Sequence, residues 1–317
     1  MLKASLILLC SLMMSAFSIA DTYPSRPVKM ITGYPPGAAT DLYGRAISKQ
    51  LSESMGQPFV FENRVGAAGT VAAEALVRST PDGYLILNTA SQIVINPFVQ
   101  KLSFNTEKDL IPVAQTIAVS YVLLTGPNFP ASNLVEFVDH VKKNPKKLNY
   151  GSYGNGSGPH LAMAMLQKAA GFEVQHIQYR GSAQVLTALM AGEIDMAFDT
   201  TTTTLELIKA GKLKPIAIGG PKSAELLPSV PPIAQTYPGF NCDGWQGVFV
   251  PAGTPKEIVK KLFEEMNKIR LSAEFRALTS SRGVTVVNTT QEQFADYFKS
   301  ELKKYEKVVK ENNIYLD

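Results

Sequence analysis

Cysteine and histidine are nearly missing from this chain of 317 residues, which has two of the first and three of the second. Cys10 lies in an apolar opening segment, and loss of that segment leaves Cys242 alone, which excludes an intrachain disulfide. His140, His160 and His176 do not have the spacing of a metal-binding pair, so neither a metal nor another cofactor is expected. Charge is sparse as well: 18% of residues are charged, with 31 Lys and Arg against 27 Asp and Glu. No basic run interleaved with aromatics occurs, which argues against nucleic acid. Lys142, Lys143, Lys146 and Lys147 cluster near a helix end, where cations complement the dipole. No G-x-S-x-G elbow is present, and no P-loop lysine follows the Gly-rich stretch described below.

Long apolar runs are absent too. The opening run is interrupted by serines and falls short of the ~20 residues that a membrane-spanning helix needs. Lys3, the apolar residues 6–14 and Ser18-Ile19-Ala20 have the layout of a signal peptide, expected to be cleaved after Ala20 for export to the periplasm. Without Lys3 the net charge becomes 30 minus 27, or +3. With 45% hydrophobic residues, the remainder is long enough for two ordinary globular domains.

What the chain does have is a repeated plan of strand, small-residue loop and helix. Residues 150–160, Tyr-Gly-Ser-Tyr-Gly-Asn-Gly-Ser-Gly-Pro-His, follow a short strand and open into a helix that Ser157 can cap. Residues 28–31 form a β-rich run leading to Tyr34-Pro35-Pro36-Gly37-Ala38-Ala39-Thr40-Asp41, where Thr40 or Asp41 can cap the next helix. A strand at 59–63 precedes Gly66-Ala67-Ala68-Gly69-Thr70, and Tyr179-Arg180-Gly181-Ser182 precedes another helix. Such loops expose backbone N–H groups at helix N-termini, which are anion sites without cationic side chains. The alternation predicts α/β architecture with doubly wound parallel sheets, whose ligands sit beyond the carboxyl ends of the strands. Asn133 with Glu136, and Thr254 with Glu257, have capping-box spacing. Asp199 ends a strand and either faces a ligand or caps the following helix.

These residues also form a recognisable series. Tyr23-Pro24-Ser25-Arg26-Pro27, the Pro-Pro-Gly loop with Asp41, Glu62-Asn63-Arg64 and Pro81-Asp82-Gly83-Tyr84 stand in the first half. Tyr150-Gly151-Ser152, Gly154, Gly156, Ser157, His160, Tyr179-Arg180-Gly181, Gly192 with Asp195, Trp245 and Pro251-Ala252-Gly253-Thr254-Pro255 follow in order. The whole resembles the substrate-binding proteins of tripartite tricarboxylate transporters, the Bug family. It departs from them at Ala38, where a second glycine is usual, and at Arg180, where lysine is frequent.

The resemblance implies a periplasmic-binding-protein clamshell that closes on a small carboxylate, works with membrane transporter subunits and is a monomer. Domain 1 is expected at 21–121 and 247–317 and domain 2 at 122–246, with crossings near 120–125 and 241–247. The expected ligand site comprises Tyr34, Gly37, Ala38, Asp41, Ala67, Ala68, Ser152, Gly156, Ser157, His160, Tyr179, Arg180 and Asp199. Within it, backbone amides of the loops at 37–38, 67–68 and 152–157 hold a carboxylate. Ser152, Ser157 and His160 add side-chain donors, and Tyr34, Tyr179 and Arg180 shape the cleft. Two rivals remain: an exported binding protein that reports to a signalling receptor, and an exported hydrolase built on Ser152 or Ser157 with His160. A capping serine and a helix-turn histidine account for the latter residues more simply.

Overall fold

The computed structural model describes residues 23–222 and 224–314. The expected signal peptide at 1–20 lies outside the described residues. Strands β1 (Val28–Thr32), β2 (Phe59–Asn63), β3 (Leu85–Ala90) and β4 (Leu110–Val119) open the chain. β5 (Tyr121–Thr125), β6 (Asn149–Ser152), β7 (Gln175–Gln178), β8 (Met196–Thr200) and β9 (Lys214–Ile218) build a second sheet. β10 (Gly244–Pro251) and β11 (Thr285–Val286) return to the first. Among the described residues the sheet orders are β11-β4-β10-β3-β1-β2 and β7-β6-β8-β5-β9.

The strand-loop-helix units pair in parallel, β1 with β2 and β3, and β6 with β7 and β8. β10 is antiparallel to β3 and β4, β11 to β4, and β5 to β8 and β9, so both sheets are mixed. The reason is connectivity. A parallel neighbour needs a crossover helix, whereas β5 enters the second sheet straight from β4 through Ser120.

Period-2 alternation carries side chains to both faces of each sheet and gives each sheet two cores. Met30, Ile86 and Val248 face one core of the first sheet, while Ile31, Leu87 and Phe249 face the other. In the second sheet Leu123 and Phe198 point one way, and Val122, Leu124 and Ala197 point the other. The helix Gln291–Asn312 covers the first sheet with Phe294 and Phe298 against Trp245 and Phe249. Each such fully buried large side chain contributes about 1.5–3 kcal/mol. Thr290 makes a complete capping box with Gln293 at the start of that helix. Asn133 caps its helix through the Glu136 amide, but Glu136 reaches back to the Ser132 amide instead. Thr254 caps nothing, because its hydroxyl donates to the Pro251 carbonyl at 2.8 Å and Pro255 takes the cap position.

The two connections between sheets run side by side. The Gly219 amide donates to the Tyr121 carbonyl at 2.7 Å, and the Cys242 amide to the Gly219 carbonyl at 3.0 Å. Tyr121 already pairs with Thr200 in the second sheet, and Gly244 to Gln246 already pair in the first. The changes of sheet therefore fall at Ser120 and just before Gly244, not after 121 and 246. In the apolar stretch through 117–124 only Ser120 interrupts the run, and with neither glycine nor proline there the sequence does not mark it as the point where the hydrogen-bond partner changes.

Candidate functional site

The loop after β1 is organised by a carboxylate. Asp41 lies inside the helix Ala39–Met55, and the residue at the cap position is Ala38, with no side-chain cap. The Asp41 carboxylate accepts from the Gly37 amide at 3.0 Å, Asn63 Nδ2 at 2.8 Å and Arg45 Nε at 3.0 Å. Asn63 also donates to the Tyr34 carbonyl. Burial alone would raise the Asp41 carboxyl, but Arg45, the Gly37 amide and Asn63 together hold it below the usual carboxylate range. The Gly37 amide is thus occupied within the loop, and the Ala38 amide bonds the Pro35 carbonyl. The amides in the first turn of the helix have no helical acceptor, and Ala39 and Asp41 of that turn line the cavity described below. The Tyr34 hydroxyl is buried and its ring rests against Gly69, while the backbones of Gly33 and Gly69 meet so closely that a Cβ on Gly33 would stand 2.3 Å from the Gly69 Cα.

Ala67 and Ala68 occupy the left-handed region at φ 43° and 52°, a strained conformation for alanine. Asn96 Nδ2 donates to the Ala68 carbonyl and Gln100 Nε2 to that of Ala67, which holds the pair in place. Sequence reasoning missed Asn96, Gln100 and their neighbour Gln92. They lie in and beside a short helix whose partners are distant in the chain, and no spacing announces them.

The Gly-rich loop after β6 is satisfied largely by itself. Ser157 is the cap residue of the helix Gly158–Ala170, but its hydroxyl donates back to the Gly154 carbonyl at 2.7 Å and makes no cap bond. The Gly156 amide donates to His160 Nδ1 at 3.1 Å, and the Gly154 amide to Ser152 Oγ. Ser152 is wholly buried, and its hydroxyl shares a 2.6 Å hydrogen bond with His176 Nε2. His160, His176 and Tyr150 stack, the two imidazoles 4.2 Å apart. Burial, and then the neighbouring His176, push His160 down to about 4, so it is a neutral ring with its hydrogen on Nε2. The side-chain donors expected from Ser152 and Ser157 therefore serve the loop. Gly156 itself faces the other half: its carbonyl accepts from Gln92 Nε2 at 3.0 Å, and the Val99 side chain crowds its Cα.

Asp199 is fully buried, and its carboxylate is held from within. Ser182 Oγ donates to it at 2.7 Å, Thr203 Oγ1 at 2.6 Å and the Thr200 amide at 2.7 Å, and Tyr153 adds a further hydroxyl. Burial outweighs these donors and raises its pKa. Asp199 does not cap the following helix, Thr201–Lys209, which has no side-chain cap; its carboxylate instead holds Ser182 at the start of the helix Ser182–Ala191, a role outside both sequence readings. Tyr179 packs into the core of the second sheet beside Gly151.

Between the halves lies a cavity of about 940 Å³. On one side it is lined by Gly37, Ala38, Asp41, Leu42 and Arg45, with Arg282 from the turn before β11. On the other it is lined by Arg180, Ser182, Ala183, Gln184, Leu186 and Thr203. Four expected residues, Gly37, Ala38, Asp41 and Arg180, meet here; Ala67, Ala68, Ser152, Gly156, Ser157, His160, Tyr179, Asp199 and Tyr34 are not in this lining. Two helix N-termini, at Ala39 and Ser182, face the cavity with their partial positive charge. The one carboxylate in the lining, Asp41, is neutralised by Arg45 at 2.9 Å. Such a cleft attracts anions. Among the described residues no helix is long and apolar enough to cross a membrane.

Comparison with known proteins shows the family and the fold. A family model described as the tripartite tricarboxylate transporter family receptor matches residues 44–314. A UPF0065 protein of Bordetella pertussis is 34% identical over 95% of this chain and 94% of its own length. Among solved structures, R. palustris Rpa4515 with adipate is 27% identical with a TM-score of 0.82, covering 92% of this chain and 99% of that one. MatC from Rhodopseudomonas palustris with bound malate is 27% identical with a TM-score of 0.77, covering 90% and 100%.

Proposed function

This chain belongs to the tripartite tricarboxylate transporter receptor family, a family of periplasmic binding proteins, and on that premise we propose that it captures a small carboxylate in the cleft between its two halves and delivers it to a transporter of that type. Export through the segment at 1–20 and a clamshell division at the two sheet connections belong to the same reading. The observation that carries it is the cavity of about 940 Å³, whose lining joins two helix N-termini to three arginines and a single, internally paired carboxylate. The bound adipate and malate of the two R. palustris proteins support the ligand class.

The ligand's first carboxylate sits at the helix first turns, at Ala39 to Asp41 and Ser182 to Gln184, where unpaired amides and dipoles converge. This departs from the sequence expectation, which assigned the role to backbone amides of the loops at 37–38, 67–68 and 152–157; of these, the amides of Gly37, Gly154 and Gly156 are engaged by Asp41, Ser152 and His160. Contact with both halves makes binding and closure one process, because the anion has its full set of donors only in the closed form.

A thermal-shift screen of the mature protein against a library of small carboxylates tests the reading. A true ligand at ~100 times its dissociation constant stabilises by about 2.7 kcal/mol. A flat response across aliphatic and aromatic carboxylates alike overturns it.

A further inference from the structure

Three arginines line the cleft, and they are not equivalent. Arg45 is committed: it pairs with Asp41, donates to Asn63 Oδ1 at 2.9 Å and lies over the Phe61 ring. Arg180 and Arg282 have no carboxylate partner among the described residues. They approach from opposite halves, Arg180 just ahead of the helix Ser182–Ala191 and Arg282 just after the helix Ala273–Ser280. Arg282 is held near the second half by its neighbour, since Thr201 Oγ1 donates to the Gly283 carbonyl at 3.0 Å across the gap. Its charge is felt inside the interface. Burial pushes the Tyr43 hydroxyl up to about 12 against the opposing charge of Arg282.

Counting the lining, three arginines against one aspartate leave two positive charges in a cleft with apolar walls from Leu42, Ala183 and Leu186. A monocarboxylate held at the helix N-termini leaves Arg180 and Arg282, both exposed and lining the same cleft, without a counter-charge from the ligand. A second anionic group on the ligand neutralises them and adds charge-assisted hydrogen bonds from both sides. We infer that Arg282, acting with Arg180 across the cleft, is a specificity-determining residue that reads the second anionic group of the ligand, so that the protein selects dianionic over monoanionic carboxylates. The inference rests on the carboxylate reading above and names which residues set the ligand's charge.

The test uses calorimetry on the mature protein with linear dicarboxylates from malonate to suberate, each compared with its own monomethyl ester and with the monocarboxylate of equal length. At least one dicarboxylate is expected to bind roughly tenfold or more tighter than its monoester. Arg282→Ala and Arg180→Ala each shrink the diacid-to-monoester affinity ratio by roughly tenfold or more. Arg282→Lys, which keeps the charge but not the fork, lies between. Unchanged melting of the ligand-free variants separates this loss from misfolding. If monoesters bind as tightly as diacids, or if Arg282→Ala leaves the diacid-to-monoester ratio intact, the inference is wrong while carboxylate capture stands. If neither class binds, both fall together.

Discussion

A Cβ placed on Gly156 stands 3.1 Å from both methyl groups of Val99, although the two residues belong to different halves of the molecule. Gln92 Nε2 donates to the Gly156 carbonyl at the same place. The glycine thus permits one half to approach the other, at a φ of +69° that disfavours any side chain.

Gly156→Val is therefore expected to prop the halves apart. In small-angle scattering with saturating ligand, the wild type contracts and the variant contracts less, with a stability loss of roughly 1–3 kcal/mol from strain and overpacking. Gln92→Ala removes one hydrogen bond and costs about 0.5–1.5 kcal/mol. Equal compaction of Gly156→Val and wild type would show that this contact does not limit closure.

Asp41→Asn replaces a charged acceptor that gathers the Gly37 amide, Asn63 and Arg45. About 1–3 kcal/mol of stability is expected to go, together with part of the ligand affinity, since the loop loses its organiser. Because the folded pKa is depressed, this contribution is present above the unfolded value and disappears as pH falls through the folded one. Denaturant melts of the two proteins should converge in acid, and a constant gap down to low pH contradicts the assignment.

Asp199→Asn tests whether the buried carboxylate is a positioning group or a ligand contact. If it only holds Ser182, Thr203 and the Thr200 amide, the variant loses stability, and affinities for ammonium-bearing and plain carboxylates fall by the same factor. Selective loss of amino-acid ligands, seen by calorimetry, would instead place Asp199 against the ligand.

Two buried groups set opposing pH dependences. Asp243, beside the second sheet connection, is raised to about 7, first by burial and then against the help of Ser120 and Lys304. The folded state there holds a proton that the unfolded chain gives up, so stability falls as pH rises from about 4 to about 7 and then levels. His160 is lowered to about 4, so its contribution is present above the ordinary histidine value near 6.5 and is lost as pH falls from there toward 4. Between 4 and 6.5 the two partly cancel. Chemical denaturation across pH should show Asp243→Asn flattening the decline near neutrality and His160→Gln flattening the acid limb; a swap of these effects refutes both assignments.

Periodicity and small-residue loops are local properties, so the order of strands and helices was readable before any coordinates. β2 at Phe59–Asn63 and the Asn133 cap on the Glu136 amide are examples. The position of loops at the carboxyl ends of parallel strands followed from the same alternation, whereas the placing of Arg180 at the cleft came from the family resemblance. What no spacing could disclose is which hydrogen-bond donors are already taken. Asp41 meets Asn63, Asn96 meets Ala68, Ser182 meets Asp199 and Gln92 meets Gly156 across long stretches of chain. Arg282 reaches the cleft because the chain returns to the first sheet through β10 and β11. A backbone amide or a guanidinium is available to a ligand only after the fold has satisfied its own buried polar groups, and that accounting is settled by tertiary contacts.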